Sequence, residues 1–574
     1  MSPSDAAPAA APASSSLLSS LSSIALPTIL LQVSLFLPFT LSAMHLGSFS
    51  STAASYHAPF AAADGLPSLA AELLSAFSLS NLVGAVSVVM LMVGSLSALD
   101  TLGPQAYSLN PSSLPALSLR GLLLTGSLLS LLLLTWFVPA AGGSSPSLLP
   151  GEPPLPLTGE LLLALRQPPP TVSLACQYLR TYALSLPPLL LFNVLQRFLT
   201  CQKTVKPLLL PSLFSSCALH PLLLSLLAAL PASPPPYSSN DPAAAEAALL
   251  EVASHVLRRT ALCHVLTNLS QCLLSFLHVF LARPHDPRTA EAFRGDPGAL
   301  LRQALDPASL ATYVKLAVPG VLSMSEWLYW EVVCFAVGTL GVSAFAVHAV
   351  PYSLIPLMFM LPLGLSIALG VEIGHCLGAG DADRLHRTVR LGLLLQLGIS
   401  GAAILLLYLA GGAVVSLFTA DPDIAAGCAE IWPWVCVFLL GDGFFGVQSG
   451  VLRGLGLQFQ MAVAVVASLW CFGAPLIFYV GVAGEAGSVL RVWRLMAVPY
   501  VALNALMWLV YARADAGKIS EAIIEREKRE GLPVSYERVG TDEEGAEEEE
   551  EEEEEWEGDW GAGRGGEVEL GVIN

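Results

Sequence analysis

Residues Phe345–Leu369 read FAVHAVPYSLIPLMFMLPLGLSIAL and contain no Asp, Glu, Lys or Arg. A helix needs about 20 mainly apolar residues to cross a bilayer, because it rises about 1.5 Å per residue. These 25 residues meet that requirement. Since backbone polar groups cannot stay unpaired in lipid, the stretch predicts a membrane-spanning helix rather than an isolated strand.

The composition extends this prediction to the whole chain. Of the 574 residues, 54% are hydrophobic and only 12% are charged, whereas about 25% are charged in an ordinary soluble protein. Residues 513–574 contain 22 Asp and Glu against 7 Lys and Arg, which is −15 of the total net charge of −19. The acidity therefore belongs to the tail, and nothing indicates a nucleic-acid surface.

Twelve apolar stretches are long enough to span a membrane, six on each side of a polar segment at residues 283–311. We therefore predict an all-α membrane protein in which twelve transmembrane helices form two pseudo-symmetric six-helix bundles around a central cavity. The bundles are residues 24–282 and 312–512. The predicted spans are Ile24–Leu46, Leu73–Leu99, Leu119–Val138, Val172–Phe198, Pro207–Leu230, Ala261–Leu281, Thr312–Leu340, Phe345–Leu369, Leu391–Phe418, Ala425–Val451, Met461–Val482 and Val492–Tyr511.

Basic residues in short loops predict the orientation, because they are retained on the cytoplasmic side. They favour cytoplasmic termini, with residues 1–23 as a disordered leader and 513–574 as an acidic disordered tail. The tail contains the nine-residue run Glu547–Glu555, and a short helix is expected at Ile519–Arg529. The basic residues are Lys203, Lys206, Arg283, Arg288, Arg294, Arg302, Lys315, Arg384, Arg387 and Arg390.

The two halves contain an internal repeat. The stretch Gly94–Leu99 matches Gly364–Leu369 in its Gly, Ala and Leu positions, at the ends of spans 2 and 8. Arg197 and Gln202 after span 4 similarly match Arg453 and Gln458 after span 10. Because each half has six spans, the repeat predicts an axis along the membrane normal, as in transporters that bind substrate between two halves and alternate access by rocking them.

Three acidic residues stand out within predicted spans, where an ionisable group costs at least about 2.5–3.5 kcal/mol and is a functional candidate. Glu326 and Glu331 belong to span 7, and Asp442 lies in the middle of span 10. Two residues five positions apart differ by about 140° around a helix. Glu326 and Glu331 are therefore not expected to share one narrow face.

Aromatic residues interleave with the span 7 acids, and aromatic faces beside carboxylates suit organic cations. Burial raises the pKa of a carboxyl group, so such a site can hold a proton near neutral pH and release it when a cation arrives. The alternative is that one glutamate forms a structural ion pair with Arg180 or Arg453. Asp100 is interpreted as a structural or gating residue, and dispersed histidines such as His348 and His375 as structural. The expected cavity-lining residues are Trp327, Tyr329, Trp330 and Gln448.

Soluble catalytic motifs such as GxSxG, HExxH and Walker A are absent from the sequence, which argues against an enzyme or an ATP-driven pump. The ten cysteines are scattered, without metal-ligand spacing, and are interpreted as small buried hydrophobes. No cofactor or metal is therefore expected.

Five stretches together resemble the multidrug and toxic compound extrusion (MATE) family in its eukaryotic form. The resemblance implies transport roles for Glu326, Glu331 and Asp442. It implies structural or gating roles for Asp100, Gln105, Arg197, Gln202, Pro362, Gly364 and Arg453. Departures from the family pattern include Gly103-Pro104, Glu372 and His375, and span 1 contains no acid, which favours coupling through the C-terminal bundle. The five stretches are Ser97–Tyr107, Gln196–Pro207, Glu326–Glu331, Pro362–Gly380 and Asp442–Gly454.

The resemblance implies a monomeric multi-pass transporter that exports organic cations, xenobiotics or secondary metabolites in exchange for protons. The substrates would be small and amphiphilic or cationic, and the location a plasma or vacuolar-type membrane. Three alternatives stay open within transport: sodium coupling, an organic-acid cargo, and a lipid or glycolipid flippase of related fold. A scaffold that acts through the acidic tail is a fourth.

Overall fold

The computed structural model describes residues 14–52, 69–140, 145–149, 151–228, 242–289, 295–419, 421–483 and 487–529. Eleven helices in these ranges are long and apolar enough to cross a membrane. They correspond to predicted spans 1–6 and 8–12, and the prediction of an all-helical membrane protein is confirmed. The only β-pairing among the described residues is an isolated bridge between Pro139 and Pro156.

Most spans of the first bundle run longer than the sequence pattern indicated, and span 5 does not. Span 1 is Ser14–Thr52; span 2 is Leu69–Gly84, a π-helical turn Ala85–Val89, and Met90–Leu109; span 3 is Leu114–Phe137; span 4 is Pro169–Tyr182 and Leu186–Cys201; span 5 is Lys206–Leu213, a π-helical turn Phe214–Leu219, and His220–Ala228; span 6 is Pro242–Ala282. The loop between spans 3 and 4 contains the short helix Leu157–Ala164.

The second bundle follows the same order. Span 7 is Pro307–Ser323 and Ser325–Gly338; span 8 is Val342–Gly378; span 9 is Ala382–Leu409, followed by Gly411–Ser416; span 10 is Pro422–Gly454; span 11 is Gln458–Val465 with the π-helical segments Val466–Gly473 and Leu476–Val482; span 12 is Val489–Arg513.

Span 7 differs from the single helix predicted over Thr312–Leu340, because it is broken at Met324. The Ser323 hydroxyl donates to the Gly320 carbonyl at 2.7 Å. The Met324 amide bonds instead to the Val321 carbonyl, three residues back, at 3.1 Å. A side chain that competes for a backbone carbonyl and a tightened last turn both favour the end of a helix. Neither half is long enough to span alone, which is why eleven single helices rather than twelve are found.

The predicted leader 1–23 is wrong over Ser14–Ser23, which form the first turns of span 1. Leu17, Leu21 and Ile24 recur at helical spacing and are all buried, so this segment has an apolar face to pack. Residues 1–13 lie outside the described residues.

The polar segment between the bundles, which was predicted to be a loop, contains a short helix. The polar segment 283–311 includes Pro297–Ala304, and Arg120 of span 3 donates to the carbonyls of Gln303 and Ala304, each at 2.9 Å. Arg294 lies outside the described residues.

The start of the tail is the helix Ala516–Arg529, which contains the helix expected at Ile519–Arg529. Its Ser520 hydroxyl donates to the Leu377 carbonyl at 2.6 Å, and Ile523 is buried. Residues 530–574, with the run Glu547–Glu555, lie outside the described residues.

Contacts between the two bundles follow the internal repeat. A methyl group placed on Gly94 of span 2 would lie 2.5 Å from the Val321 Cα of span 7. A methyl group on the matching Gly364 of span 8 would lie 2.7 Å from the Ile29 Cα of span 1. Each glycine thus permits a close crossing onto the opposite bundle. The repeat predicted from sequence is confirmed by these equivalent crossings.

Candidate functional site

Glu326 is the centre of the candidate site. It lies in the first turn of the helix Ser325–Gly338, directly after the break in span 7, and is 3% exposed. Its Oε1 accepts hydrogen bonds from the Tyr500 hydroxyl at 2.6 Å and the Trp330 indole at 2.9 Å. Such bonds and a helix N-terminus stabilise a carboxylate, whereas burial favours the protonated acid. Because these effects oppose each other, modest changes in the surroundings decide the protonation state.

Asp442 lies beside this group on span 10 and is also 3% exposed. It lies close enough to Glu326 for the two carboxyl groups to interact electrostatically. Two neighbouring buried carboxyl groups resist double ionisation. The structure therefore brings together two of the three predicted acids as one coupled pair.

Aromatic rings surround the pair. Phe438 packs edge-on against Trp330 and Tyr500, with ring centroids 4.7 and 4.8 Å apart. Tyr329 is fully buried against Trp470 of span 11, and its hydroxyl has no hydrogen-bond partner among the described residues. These rings exclude water and present π faces, which attract cations.

Glu331 occupies a separate position, as its spacing from Glu326 predicted. It is half-buried, and it accepts a hydrogen bond from the Tyr352 hydroxyl of span 8 at 2.6 Å. The two glutamates therefore contact different spans, Glu326 facing span 12 and Glu331 facing span 8.

Two predicted cavity-lining residues lie outside the carboxyl pair. Trp327 is half-buried on the turn next to Glu326. Gln448 borders a small gap with Val389, Leu393 and Met507, between spans 9, 10 and 12. Gln448 is six residues from Asp442, which places the two about 120° apart around the helix. The structure therefore does not bring Gln448 into the cluster.

The alternative structural ion pairs for Glu326 and Glu331 are wrong. Arg180 pairs with Glu152 of the loop between spans 3 and 4 at 3.2 Å. Arg453 pairs with Asp100.

Asp100 joins both halves of the repeat. Its Oδ1 lies 3.0 Å from Arg197 Nε of its own bundle, and its Oδ2 lies 3.9 Å from Arg453 Nη1 of the other. The Thr101 hydroxyl donates to the Arg453 carbonyl at 2.6 Å, and Gln105 donates to the Gly454 carbonyl at 3.2 Å. The residues of the predicted gating motif thus link span 2 to the end of span 10. These contacts join the two bundles at the end of the molecule where span 2 ends and span 9 begins. We call it the closed end.

Glu372 forms a second link at the closed end. It is 2% exposed on span 8, and its carboxylate lies 3.0 Å from Lys203 and 3.6 Å from Arg384. The Ser20 hydroxyl of span 1 donates to it at 2.5 Å. Glu372 belongs to the C-terminal bundle, whereas two of its partners, Lys203 and Ser20, belong to the N-terminal bundle. The departure from the family pattern at this position is therefore a contact between bundles.

The remaining motif residues make contacts away from the carboxyl pair. Gln202 accepts a hydrogen bond from the Asp286 amide at 2.9 Å, and the Tyr107 hydroxyl donates to the Asp286 carboxylate at 3.1 Å. Burial opposes ionisation of Asp286, but hydrogen bonds from Arg288 and Tyr107 outweigh it and hold its pKa below the ordinary value. Pro362 packs beside Gly446 of span 10.

Sequence reasoning missed the hydroxyl partners of both glutamates, Tyr500 and Tyr352. A tyrosine in the middle of a span is a usable signal, because its buried hydroxyl needs a partner. Lys203 was assigned only to orientation, and its contact with Glu372 could not be read from two positions so distant in the chain.

No group of three or more His, Cys, Asp or Glu with metal-site geometry occurs among the described residues. All ten cysteines are free, and seven of them are buried.

Known proteins share this sequence and fold. The family model MatE matches residues 320–479, from span 7 to span 11. Multidrug and toxin extrusion protein 2 of Oryctolagus cuniculus is 28% identical over 380 residues, covering 65% of this chain and 56% of that protein. An uncharacterized transporter of Schizosaccharomyces pombe is 26% identical over 421 residues, covering 73% of this chain and 69% of its own length.

Solved structures extend the likeness to both bundles. The eukaryotic MATE transporter AtDTX14 superposes with a TM-score of 0.71 at 18% identity, over 89% of this chain and 99% of that one. The Vibrio cholerae MATE transporter VcmN in its bent form gives 0.63 at 14% identity, over 89% and 99%. Together with the eleven apolar helices, these likenesses define a multi-pass membrane protein with the two-bundle fold. In sequence, the similarity to the MATE family is carried by residues 320–479, and the likeness to solved MATE transporters is one of fold.

Proposed function

We propose that the chain is a secondary active antiporter. It exports organic cations, xenobiotics or secondary metabolites in exchange for protons, by alternating access between its two bundles. The observation that carries this proposal is Glu326, a buried carboxyl group that accepts hydrogen bonds from Tyr500 and Trp330 beside Asp442.

The coupling of proton release to substrate binding follows from the net charge of Glu326 and Asp442. With one proton between them, Glu326 and Asp442 carry one negative charge and avoid the repulsion of two buried carboxylates. A cationic substrate that reaches the aromatic faces supplies positive charge, which favours release of that proton. Proton and cation therefore compete for the same negative charge, and a site that holds only one of them at a time exchanges one for the other.

The contacts of Asp100 and Glu372 are the ones that must change when access alternates between the two sides of the membrane. Both links join the bundles at the closed end, so access from that end requires Arg453 to separate from Asp100 and Lys203 from Glu372. The equivalent glycine crossings provide a surface on which the bundles can separate. Alternating access is then the exchange of these closed-end contacts for others at the opposite end.

We further propose that the closed end faces the cytoplasm, since basic residues in short loops favour that side. Both chain termini then lie in the cytoplasm of a plasma or vacuolar-type membrane, and the transporter acts as a monomer. The basic residues at this end are Lys203, Lys206, Arg283, Arg288, Arg302, Lys315, Arg384, Arg387 and Arg390.

Reconstitution in liposomes tests the proposal. An imposed pH gradient should drive flux of tetraphenylphosphonium, an organic cation whose charge does not change with pH. Glu326→Gln and Asp442→Asn remove one charge each with little change of shape, and each should reduce pH-driven flux by about tenfold or more, since an uncompensated change in a buried polar pair costs several kcal/mol. Glu331→Gln should have a smaller effect. The matched control is Glu430→Gln, an exposed glutamate on the same span as Asp442.

The same liposomes discriminate between the alternatives. Flux that follows a sodium gradient and ignores the pH gradient would establish sodium coupling instead. Transport of an anionic organic acid, or scrambling of a labelled lipid, in the absence of cation flux would favour the organic-acid exporter or the flippase. Equal flux in Glu326→Gln, Asp442→Asn and the Glu430→Gln control would overturn the assignment of the site.

A further inference from the structure

A hydrogen-bonded pair of histidines lies inside the N-terminal bundle, which the proposed mechanism does not use. His220 of span 5 and His264 of span 6 each place Nε2 at 3.0 Å from the hydroxyl of Ser42 on span 1. The ring centroids are 4.8 Å apart. All three residues are at most 1% exposed. Three separate spans therefore place two titratable rings on one bridging hydroxyl.

The cluster continues through Thr267. His220 Nδ1 lies 2.8 Å from the Thr267 hydroxyl, which donates to the Cys263 carbonyl at 2.8 Å. With the Thr267 proton used there, its oxygen accepts the Nδ1–H of His220. The bare Nε2 of His220 then accepts from Ser42, whose oxygen accepts the Nε2–H of His264. Each hydrogen in this chain has one acceptor, and both rings are neutral.

Aromatic residues enclose the cluster. Phe39 and Phe77 lie 4.8 and 6.3 Å from His264, and Tyr182 lies 6.0 Å from it, measured between ring centroids. Burying polar groups in such surroundings is costly unless they are fully hydrogen-bonded. Apolar residues of similar volume would fill this space without that cost. Packing alone therefore does not explain why polar residues occupy this position.

The local backbone is also unusual. Span 5 contains the π-helical turn Phe214–Leu219, which ends immediately before His220. Such turns inside helices are rare and occur frequently at functional sites. The turn changes the rotation of the helix and so sets the direction of the His220 side chain toward Ser42.

The hydrogen bonds allow a proton to pass between the rings without moving heavy atoms. A proton taken up at His264 Nδ1 makes that ring an imidazolium. Its Nε2–H then moves to the Ser42 oxygen while the Ser42 hydroxyl proton moves to His220 Nε2. His264 is left neutral and His220 carries the charge, with no other bond made or broken.

We propose that His220 and His264, bridged by Ser42, form a second proton-binding site, located in the N-terminal bundle. The inference rests on the proposed proton exchange, since it adds a proton carrier to that function. A protonated pair places positive charge in the bundle that faces the carboxyl site across the molecule. That charge opposes a cationic substrate, so a proton on the histidine pair disfavours substrate loading.

Other titratable groups lie on the spans that pack around His220 and His264. His45, three residues after Ser42 on span 1, is close enough for its charge to oppose a proton on His220. Span 4 contributes the phenols of Tyr178 and Tyr182, and span 6 contributes the thiol of Cys263. On span 2, Glu72 is bonded to the Thr171 hydroxyl at 2.8 Å. Among the described residues neither ring of the pair bonds to a carboxylate, so one proton, not two, is the expected load.

Two measurements test the site. The first is ¹⁵N NMR of the full-length chain labelled at histidine in lipid nanodiscs, from pH 5 to 8.5, with resonances assigned by His220→Gln and His264→Gln. The second is the pH profile of tetraphenylphosphonium flux in liposomes for wild type, His264→Gln and Ser42→Ala. His255→Gln is the matched control, because His255 is an exposed histidine on the same span as His264.

The proposal expects the two resonances to titrate together in wild type, toward the acidic end of the range because burial disfavours the imidazolium, and separately in Ser42→Ala. It also expects the flux profile of His264→Gln to be displaced along the pH axis, while that of His255→Gln matches wild type. Rings that stay neutral at every pH, or a His264→Gln profile that superposes on the control, would overturn it. Absence of pH-driven flux in wild type would contradict the proposed proton exchange instead, and the NMR titration would still decide whether the histidines bind a proton.

Discussion

The two bundles are built on the same repeat but bury different chemistry. The C-terminal bundle encloses Glu326 and Asp442 among aromatic rings, and the N-terminal bundle encloses His220 and His264 around a serine hydroxyl. Glycines at equivalent positions make equivalent crossings. The backbone scaffold therefore obeys the symmetry, whereas the titratable side chains break it.

The closed end has the same combination of symmetry and asymmetry. Arg197 and Arg453 are repeat partners, yet both pair with the single carboxylate of Asp100. The position that matches Asp100 in the second half is Gly370. One anion thus serves two cations, one from each bundle, and this makes it the most vulnerable contact between them.

The largest expected effect on stability follows from Asp100→Asn. Arg453 is buried, and removing the anion beside a buried charge typically costs about 3–5 kcal/mol. We expect a clear fall in the apparent melting temperature of the purified transporter in detergent. The matched control is Asp296→Asn, which breaks the exposed Asp296–Arg302 pair and should cost less than about 1 kcal/mol. Equal shifts in the two variants would show that Asp100 is not a joint between the bundles.

A smaller effect, confined to the C-terminal site, is expected from Tyr500→Phe. This change removes a hydroxyl that donates to Glu326 but keeps the ring that packs on Phe438. The ionised form of Glu326 loses a donor, so the pH profile of cation flux should move to higher pH. The comparison is Tyr352→Phe, which removes the equivalent donor from Glu331. If Tyr352→Phe shifts the pH profile of flux and Tyr500→Phe does not, Glu331 rather than Glu326 is the proton-binding glutamate.

The repeat itself can be tested with Gly94→Ala and Gly364→Ala. Each new methyl group would meet backbone of the opposite bundle, Val321 for the first and Ile29 for the second. Both variants should therefore disfavour the closed-end contacts to a similar, modest extent. Gly398→Ala is the control, since a methyl group there would meet nothing within 4 Å.

Spin labels at the exposed positions Lys206 and Asp383 would report the separation at the closed end by pulsed electron resonance. The exposed Cys217 and Cys471 must first be replaced. Longer distances should become more populated in both glycine variants and not in the control. An effect from only one glycine would mean that the two crossings are not equivalent.

The smallest effect is expected from deleting residues 530–574. The described part of the tail already ends on the helix Ala516–Arg529, which packs against span 8 through Ser520. Flux per folded transporter should be unchanged. Loss of flux with intact folding would favour a role for the acidic run Glu547–Glu555 in transport.

Sequence alone predicts the number and order of the spans, the repeat and the acids of the C-terminal site. These features are local, because each rests on the hydropathy of one stretch or on a charge within it. The break at Met324 could not be predicted in the same way. It depends on the Ser323 hydroxyl competing for the Gly320 carbonyl, a choice that hydropathy does not record.

Features that depend on packing between distant segments were out of reach. His220 and His264 are 44 positions apart and were interpreted as dispersed, and Ser42 has no distinguishing pattern in the sequence. The same holds for Lys203 and Glu372, which are far apart in the chain. Only the arrangement of the helices brings such partners together. The start of span 1 was misplaced because short amphipathic turns, such as that of Leu17 and Leu21, are weak signals beside a long apolar span.

We propose above that binding of a cation at Glu326 and Asp442 releases a proton. Calorimetric titration of the full-length protein with tetraphenylphosphonium, in two buffers of different ionisation enthalpy at one pH, measures the number of protons released per cation bound. We predict proton release in wild type, a reduced release in Glu326→Gln, and the wild-type value in Glu430→Gln. Binding without proton release in wild type, or release that is undiminished in Glu326→Gln, would contradict the account.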